Sequence, residues 1–288
     1  MLENKTLKDN IEKYKLSEEE HRIVLEQIKE KLFVKKPHQN NPSIMFVVGQ
    51  PGCGKTTYIG STDLSNYIII NSDDYRHYSK YSKEILDKYP TNYATFTNFD
   101  AHLWGDELFS YAIQNNYSVL REKAPTDYSL IDLISTIPNN YDIVINVVVR
   151  GNLSSLLATR ERYEKEILSS RTAKLSNIDT HNKCYELLPN FILKCLLLGV
   201  KVNYIVPVDR EFKTISVNTD NYLSLLQDLR DNSNVKTCLN YDVRINNIKS
   251  DMINRDAPKE QFVELEKIEN EFIKYAIDND INKEKSLY

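Results

Sequence analysis

The sequence predicts an α/β fold in which a parallel sheet is flanked by helices. Three observations predict it. From residue 44 onward apolar runs alternate with helical segments, several of the runs are apolar throughout, and a glycine-rich turn follows the first run directly. Strands buried on both faces read as unbroken hydrophobic runs. Strands that alternate with helical stretches are what right-handed parallel crossovers require.

The elements follow in order. Residues 17–33, SEEEHRIVLEQIKEKLF, read as an amphipathic helix: Ser17 and Glu20 have capping-box spacing, and Ile23, Val24, Leu25, Ile28 and Leu32 form a broad apolar face. KKPHQNNPS (35–43) is a turn-rich linker. Strands are expected at 44–48, 67–71, 117–121, 142–149 and 201–206, and helices near 55–62, 82–88, 99–115, 127–136, 152–170 and 181–198. Two more helices are read in NTDNYLSLLQDLRDN (218–232) and PKEQFVELEKIENEFIKYAI (258–277). The expected organisation is one domain over 1–288, with an N-terminal helix at 17–33, a core at 44–210 and a mainly helical C-terminal extension at 211–288. No internal repeat or low-complexity tract interrupts it.

Composition lends no support to several classes of function. The 288 residues carry a net charge of −4, so bulk electrostatics draws the chain neither to nucleic acid nor to an anionic membrane. The N-terminus is charged throughout and is no secretory segment, and the longest apolar patch, FILKCLLLGV (191–200), is half a membrane span and contains a lysine. Cys53, Cys184, Cys195 and Cys238 show no CxxC or zinc spacing, and Cys53 lies inside the glycine turn, which argues against a disulfide framework. The expected compartment is the cytoplasm. His77, His102 and His181 show no metal spacing.

Gly49-Gln50-Pro51-Gly52-Cys53-Gly54-Lys55-Thr56 fits G-x-x-x-x-G-K-[ST] without a mismatch. The chain has seven glycines, and three of them fall within these few residues, which weighs against an idle turn. Such glycines let backbone N–H groups turn inward on a phosphate. Lys55 then reaches the β- and γ-phosphates of ATP, the Thr56 hydroxyl ligates Mg²⁺, and Thr57 closes the loop. With this motif the fold class becomes a P-loop NTPase-like parallel sheet with helical N- and C-terminal additions.

The second strand runs into YIIINSDDYRHY, and α/β folds place ligands at the carboxyl ends of such strands. A carboxylate there can take the proton of an attacking hydroxyl or hold Mg²⁺ through water; a solvated turn or helix cap is the plainer reading. Farther along, helical spacing from Leu156 puts Arg160, Tyr163 and Ile167 on one face and turns Arg162 away from it, so Arg162 is available to a site.

These residues together resemble the zeta toxin family, bacterial toxin–antitoxin kinases that phosphorylate UDP-N-acetylglucosamine. GQPGCGKT resembles the family's loop, and IINSDDYRHY its strand-end acidic segment, with Asp73 at the general-base position. DELFSYAIQNNYSVLRE resembles a helix–strand pair ending in a substrate-contacting glutamate, here Glu122, and Asp106 falls on another acidic sugar-binding position. SSLLATRERYEKE resembles a lid helix whose arginine, here Arg162, contacts the transferred phosphate. RTAKLSNIDTHN resembles the next segment, where a second phosphate-binding cation falls on Lys174 or on Arg171 nearby.

The resemblance spans residues 17–210 and implies ATP and Mg²⁺ as cofactors and a small helical antitoxin that obstructs the ATP site. Three departures stand out. Asn71 replaces an acid, Lys174 an arginine, and Lys123-Ala124-Pro125-Thr126-Asp127 replaces the family's Gly-Thr-basic run. Lysine supplies charge without a bidentate fork. The phosphate machinery thus reads as intact and the acceptor pocket as altered. A kinase for another nucleotide, sugar or antibiotic therefore stays open, as does a non-catalytic ATP-binding interaction module.

Overall fold

The computed structural model describes residues 11–281 apart from 90, 91, 171, 172, 174 and 210. Six strands form one sheet in the order β2-β3-β1-β4-β5-β6, where β1 is Ser43–Val48, β2 Ile68–Ile70, β3 Val119–Lys123, β4 Asp142–Val148, β5 Lys201–Val208 and β6 Glu211–Val217. The first five are parallel; β6 runs antiparallel to β5. Ile44, Phe46, Val47 and Val48 of β1 are all buried, as a central strand covered on both faces demands. β1 lies between β3 and β4, so the chain leaves it toward one side of the sheet and later returns on the other. Such a switch point opens a crevice at the strands' carboxyl ends.

Helix α1 (Glu18–Phe33) starts on the expected capping box: the Glu20 backbone N–H donates to Ser17 Oγ at 3.4 Å, and the Ser17 N–H donates to Glu20 Oε2 at 3.0 Å. Ile28 and Phe33 are buried as its inward face, whereas Ile23 is half exposed. His21 is buried too, between Asp100 at 3.1 Å and Glu107 at 2.8 Å on helix α4 (Tyr93–Gln114), which pins α1 to the core. The short helix α2 (Lys55–Ser61) follows the glycine loop, a 3₁₀ helix spans Ser72–Tyr78, and α3 covers Ser82–Lys88. Then come α4 (Tyr93–Gln114), α5 (Ser129–Thr136), α6 (Asn152–Ser170) and α7 (Ile178–Leu197).

Three differences from the sequence reading have physical causes. The third strand starts at 119 rather than 117, because the Tyr117 N–H still bonds the Ala112 carbonyl at the end of α4 and Asn116 turns left-handed at φ 54°. Helix α4 begins six residues before the expected 99, where Phe96 packs with Tyr14 and Tyr89. Residues 211–217 are not helical extension but the edge strand β6, held by its ladder to β5.

Past β6 the extension is helical: α8 (Tyr222–Cys238), α9 (Tyr241–Asn254), which the sequence reading had missed, and α10 (Lys259–Asp278). Ile245, Ile248, Met252, Leu265, Ile268 and Phe272 from α9 and α10 form a second apolar cluster with Leu153, Leu156 and Leu157 of α6. Among the described residues no helix is long and apolar enough to cross a membrane.

Candidate active site

At the switch point a cleft of about 1300 Å³ opens above the carboxyl ends of β1 and β3. The glycine loop forms its floor. Gly52 sits at φ +77°, and a Cβ there would lie 2.1 Å from the Ser155 carbonyl oxygen of α6. The loop is therefore pressed against α6 so closely that glycine is required. Pro51, Gly52, Gly54, Lys55, Thr56 and Thr57 line the cleft. Gln50 and Cys53 turn inward: Gln50 Nε2 donates to the Arg150 carbonyl at 2.8 Å and to Ser155 Oγ at 3.2 Å, and Cys53 is buried in an apolar cluster with Val47 and Val148. Burial pushes the Cys53 thiol above its ordinary range, so it is no thiolate. At Gly49, Gln50 and Cys53 only the backbone can serve a phosphate.

Lys55 is buried, with its Nζ donating to the Gly49 carbonyl at 2.8 Å and the Gln50 carbonyl at 3.2 Å. The β1–β3 register sets Val47 opposite Glu122, which carries the Glu122 carboxylate to the loop. It lies 3.8 Å from Lys55 Nζ and accepts from the Thr56 hydroxyl at 3.3 Å. The Thr56 hydroxyl and the Glu122 carboxylate form an all-oxygen pair, the donor chemistry that suits Mg²⁺. Among the described residues no group of three His, Cys, Asp or Glu forms a metal site, so such an ion would take its remaining ligands from phosphate and water.

Asp73 lines the cleft from the first turn of the 3₁₀ helix, and its neighbour Asp74 does not. Arg76, 5% exposed, donates Nε at 2.9 Å and Nη2 at 2.5 Å to Asp73 Oδ1 and also bonds Ala94, Thr97 and Asn98 at the start of α4. Partial burial, and then the Asp73 charge, hold the Asp74 carboxyl above the ordinary range. Asp106 lines the same cleft from α4 and accepts from Arg121 Nη2 at 2.7 Å; Arg121 itself is 2% exposed and lies over the Phe109 ring. Beside it Lys123 has its pKa lowered to about 8, by burial first and by Arg121 second, with Asp106 partly offsetting.

From the opposite wall α6 presents Ala158, Glu161, Arg162 and Lys165. Arg160 and Tyr163 are buried and Arg162 is not, as the helical spacing requires. Arg162 Nη2 donates to Ser176 Oγ at 3.2 Å, and its Nε lies 3.5 Å from Glu166. Arg171 and Lys174 lie outside the described residues. Of the described site residues, the cleft gathers Asp73, Asp106, Glu122, Arg162 and the outward half of the loop.

The sequence reading missed Arg150. Its Nη1 donates to the Gly52 carbonyl at 3.2 Å and its Nε to Ser154 Oγ at 2.8 Å, placing a cation beside the loop. The available signal was a basic residue directly after an apolar strand that neighbours the loop strand. Arg76 and Arg121 were also passed over; their roles depend on pairing across elements.

The sequence profile of the zeta toxin family matches residues 28–212, well over half of the chain. Among solved structures, the chain is similar to one from the PezAT chromosomal toxin–antitoxin system of Streptococcus pneumoniae. The TM-score is 0.65 at 20% identity, covering 75% of this chain and 90% of that one. The AvrRxo1-ORF1:-ORF2 complex with ATP overlaps more loosely, with a TM-score of 0.49 at 10% identity over 73% of this chain and 71% of that one. At such identities the likeness concerns the fold. No protein of curated function matches the chain by sequence.

Proposed function

The chain belongs to the zeta toxin family, and from that premise we propose that it is an ATP-dependent phosphotransferase acting on a hydroxyl of UDP-N-acetylglucosamine, the toxin of a toxin–antitoxin pair. The observation that carries the reading is the convergence on one cleft of the loop face Pro51–Thr57, the carboxylates of Asp73, Asp106 and Glu122, and Arg162. A loop that only bound nucleotide would have no need of carboxylates on one wall and an arginine on the facing one.

In this reading ATP lies with its phosphates on the loop, where Lys55 and the backbone N–H groups of Gly52, Gly54, Lys55 and Thr56 neutralise them. Asp106 and Glu122 orient the acceptor sugar. The Asp73 carboxylate accepts the proton of the acceptor hydroxyl as that oxygen bonds the γ-phosphorus, and the bond to the β–γ bridging oxygen breaks to leave ADP. Arg76 fixes the Asp73 carboxylate in direction beforehand, and Arg162 stabilises charge on the transferred group, with Arg171 or Lys174 as a second cation. Thr56, with Glu122 beside it, would hold Mg²⁺, which would supply further charge neutralisation. The partner is a small helical antitoxin covering the ATP side, and the compartment is the cytoplasm.

One observation bears on the identity of the acceptor. Lys123, Ala124, Pro125, Thr126 and Asp127 line the cleft, so the segment that departs from the family pattern is part of the pocket itself. The test is ATP consumption by purified protein with and without UDP-N-acetylglucosamine, with Lys55→Ala as blank and Asp73→Asn as probe of the base. Sugar-dependent turnover that is lost in Asp73→Asn while ATP binding persists, with a product one phosphate heavier, is expected. Turnover indifferent to the sugar nucleotide redirects the search to other hydroxyl acceptors. No Lys55-dependent turnover with any acceptor refutes the phosphotransferase.

A further inference from the structure

We propose that the C-terminal helices α8 and α9 are a working part of the nucleotide half of the cleft: Arg244 neutralises the cleft carboxylate Glu161, and Thr237 holds Arg150 on the phosphate loop. The inference rests on the reading that ATP occupies this cleft. Both helices lie beyond residue 212, outside the stretch that matches the family profile.

Glu161 lines the cleft immediately before Arg162. A bare carboxylate there would repel a polyphosphate of about four negative charges and compete for the arginines meant for it. Arg244, on α9, removes that charge: its Nε and Nη2 donate to the two Glu161 oxygens at 2.6 Å each, a bidentate pair across two elements. Two other ion pairs join α6 to the extension among the described residues, Arg255–Glu164 and Arg160–Glu264; they involve no residue that lines the cleft and act as anchors. Among the described residues only the Arg244 pair faces the site.

The second connection runs through buried hydroxyls. Thr237 Oγ1 on α8 donates to Ser154 Oγ at 2.8 Å, and the same oxygen accepts from Arg150 Nε at 2.8 Å. Arg150 then donates onward to the Gly52 carbonyl of the loop at 3.2 Å. Asn234, one turn before Thr237, accepts from the Ser154 N–H at 3.4 Å and donates to Asn152 at 3.0 Å, which fixes the first turn of α6. The approach is tight enough that a Cβ on Gly151 would lie 2.0 Å from Asn234 Oδ1. The two connections also feel each other. After burial, repulsion from Arg244 is the largest influence holding the Arg150 pKa below its ordinary value, and Glu161 offsets part of it. Thr237 and Arg244 are positioning residues; Arg150 is the group that would touch nucleotide.

The experiment measures the affinity of a fluorescent ATP analogue with Mg²⁺ for the full chain and its variants. Arg244→Met is expected to weaken binding about tenfold, and the double variant Arg244→Met/Glu161→Gln to return to within about twofold of wild type, because charge and not packing is at issue. Thr237→Val, nearly isosteric and independent of the ion pair, is expected to weaken binding about fivefold in wild type and to add nothing in an Arg150→Met background. Failure of Glu161→Gln to rescue, or an additive Thr237→Val effect in the Arg150→Met background, would overturn the inference while leaving the phosphotransferase standing. A wild type that binds no nucleotide would remove both together.

Discussion

Arg255→Met offers the sharpest stability measurement. Arg255, at the end of α9, donates Nε at 2.6 Å and Nη2 at 2.7 Å to the two oxygens of Glu164 on α6, and the same Nη2 also bonds Gln261. Glu164's side chain is 4% exposed and Arg255's 13%, so neither charge has appreciable recourse to water. The Glu164 bond outweighs the opposing effect of burial and holds the Arg255 pKa above its ordinary value. Truncating the arginine strands a carboxylate in a nearly dry site, a loss of about 3–5 kcal/mol when a buried pair is broken on one side. At about 2 °C per kcal/mol for a chain of this size, the melting temperature should fall by roughly 6–10 °C. Scanning calorimetry, checked by urea unfolding, reads the change directly. Because the penalty belongs to the orphaned charge, Glu164→Gln/Arg255→Met should regain most of the loss. A shift under about 2 °C for the single variant, or a double variant no better than the single, would refute the reasoning.

Two further outcomes follow from the same geometry. Gly52→Ala would combine a left-handed backbone, costing about 1–2 kcal/mol, with a Cβ placed 2.1 Å from the Ser155 oxygen. The loop must then retreat by about an ångström, enough to cost roughly a hundredfold in transfer rate, read as kcat alongside nucleotide affinity; unchanged kinetics would mean that the packing on α6 does not set the loop. Lys123 titrates near 8, below its ordinary 10.5, so its charge is present below pH 8 and lost above it. An anionic acceptor should therefore show KM rising as pH passes 8, and Lys123→Met should flatten that profile. The stability effect has the opposite sign: between pH 8 and 10.5 the unfolded chain keeps the proton that the folded chain has released, so the burden of burying this amine eases as pH rises.

What the sequence made legible was whatever is local. The loop motif, its preceding strand and the capping box are contiguous patterns, and each lies where the reading put it. The orientation of Arg162 followed from helical spacing alone. The partners that tune the site did not, because pairing is a tertiary fact. Arg121 sits in what reads as an ordinary strand, and only the packing of α4 brings Asp106 within 2.7 Å of it. Edge strand β6 escaped because its residues are mostly exposed and show no buried run, and its identity comes from the ladder to β5. Helix α9 escaped because its inward residues, Ile245, Ile248 and Met252, are scattered among polar ones and meet their partners only across α6 and α10.

The two walls of the cleft are organised on different terms, and the difference bears on the acceptor. On the wall proposed to hold the acceptor, the two carboxylates that line the cleft from the 3₁₀ helix and α4 are each bound by an arginine almost wholly withdrawn from water: Arg76 for Asp73, Arg121 for Asp106. A buried guanidinium is stable only with its counter-charge, so those carboxylates are oriented before any substrate arrives. Glu122 follows another rule. Its contacts are the Thr56 hydroxyl and the Lys55 ammonium, both on the phosphate loop, which on the proposed reading puts it at the boundary between donor and acceptor. That leaves Lys123 as the cation that departs from the family pattern on this wall, next to Arg121, whose charge is already committed to Asp106. A negative group on the acceptor would meet the Lys123 charge on such a wall, whereas an uncharged acceptor would leave it unpaired. A sugar nucleotide meets the requirement through its diphosphate, which is why the altered 123–127 segment is compatible with the proposed acceptor and why the pH profile of Lys123 is the observation that would separate it from an uncharged one.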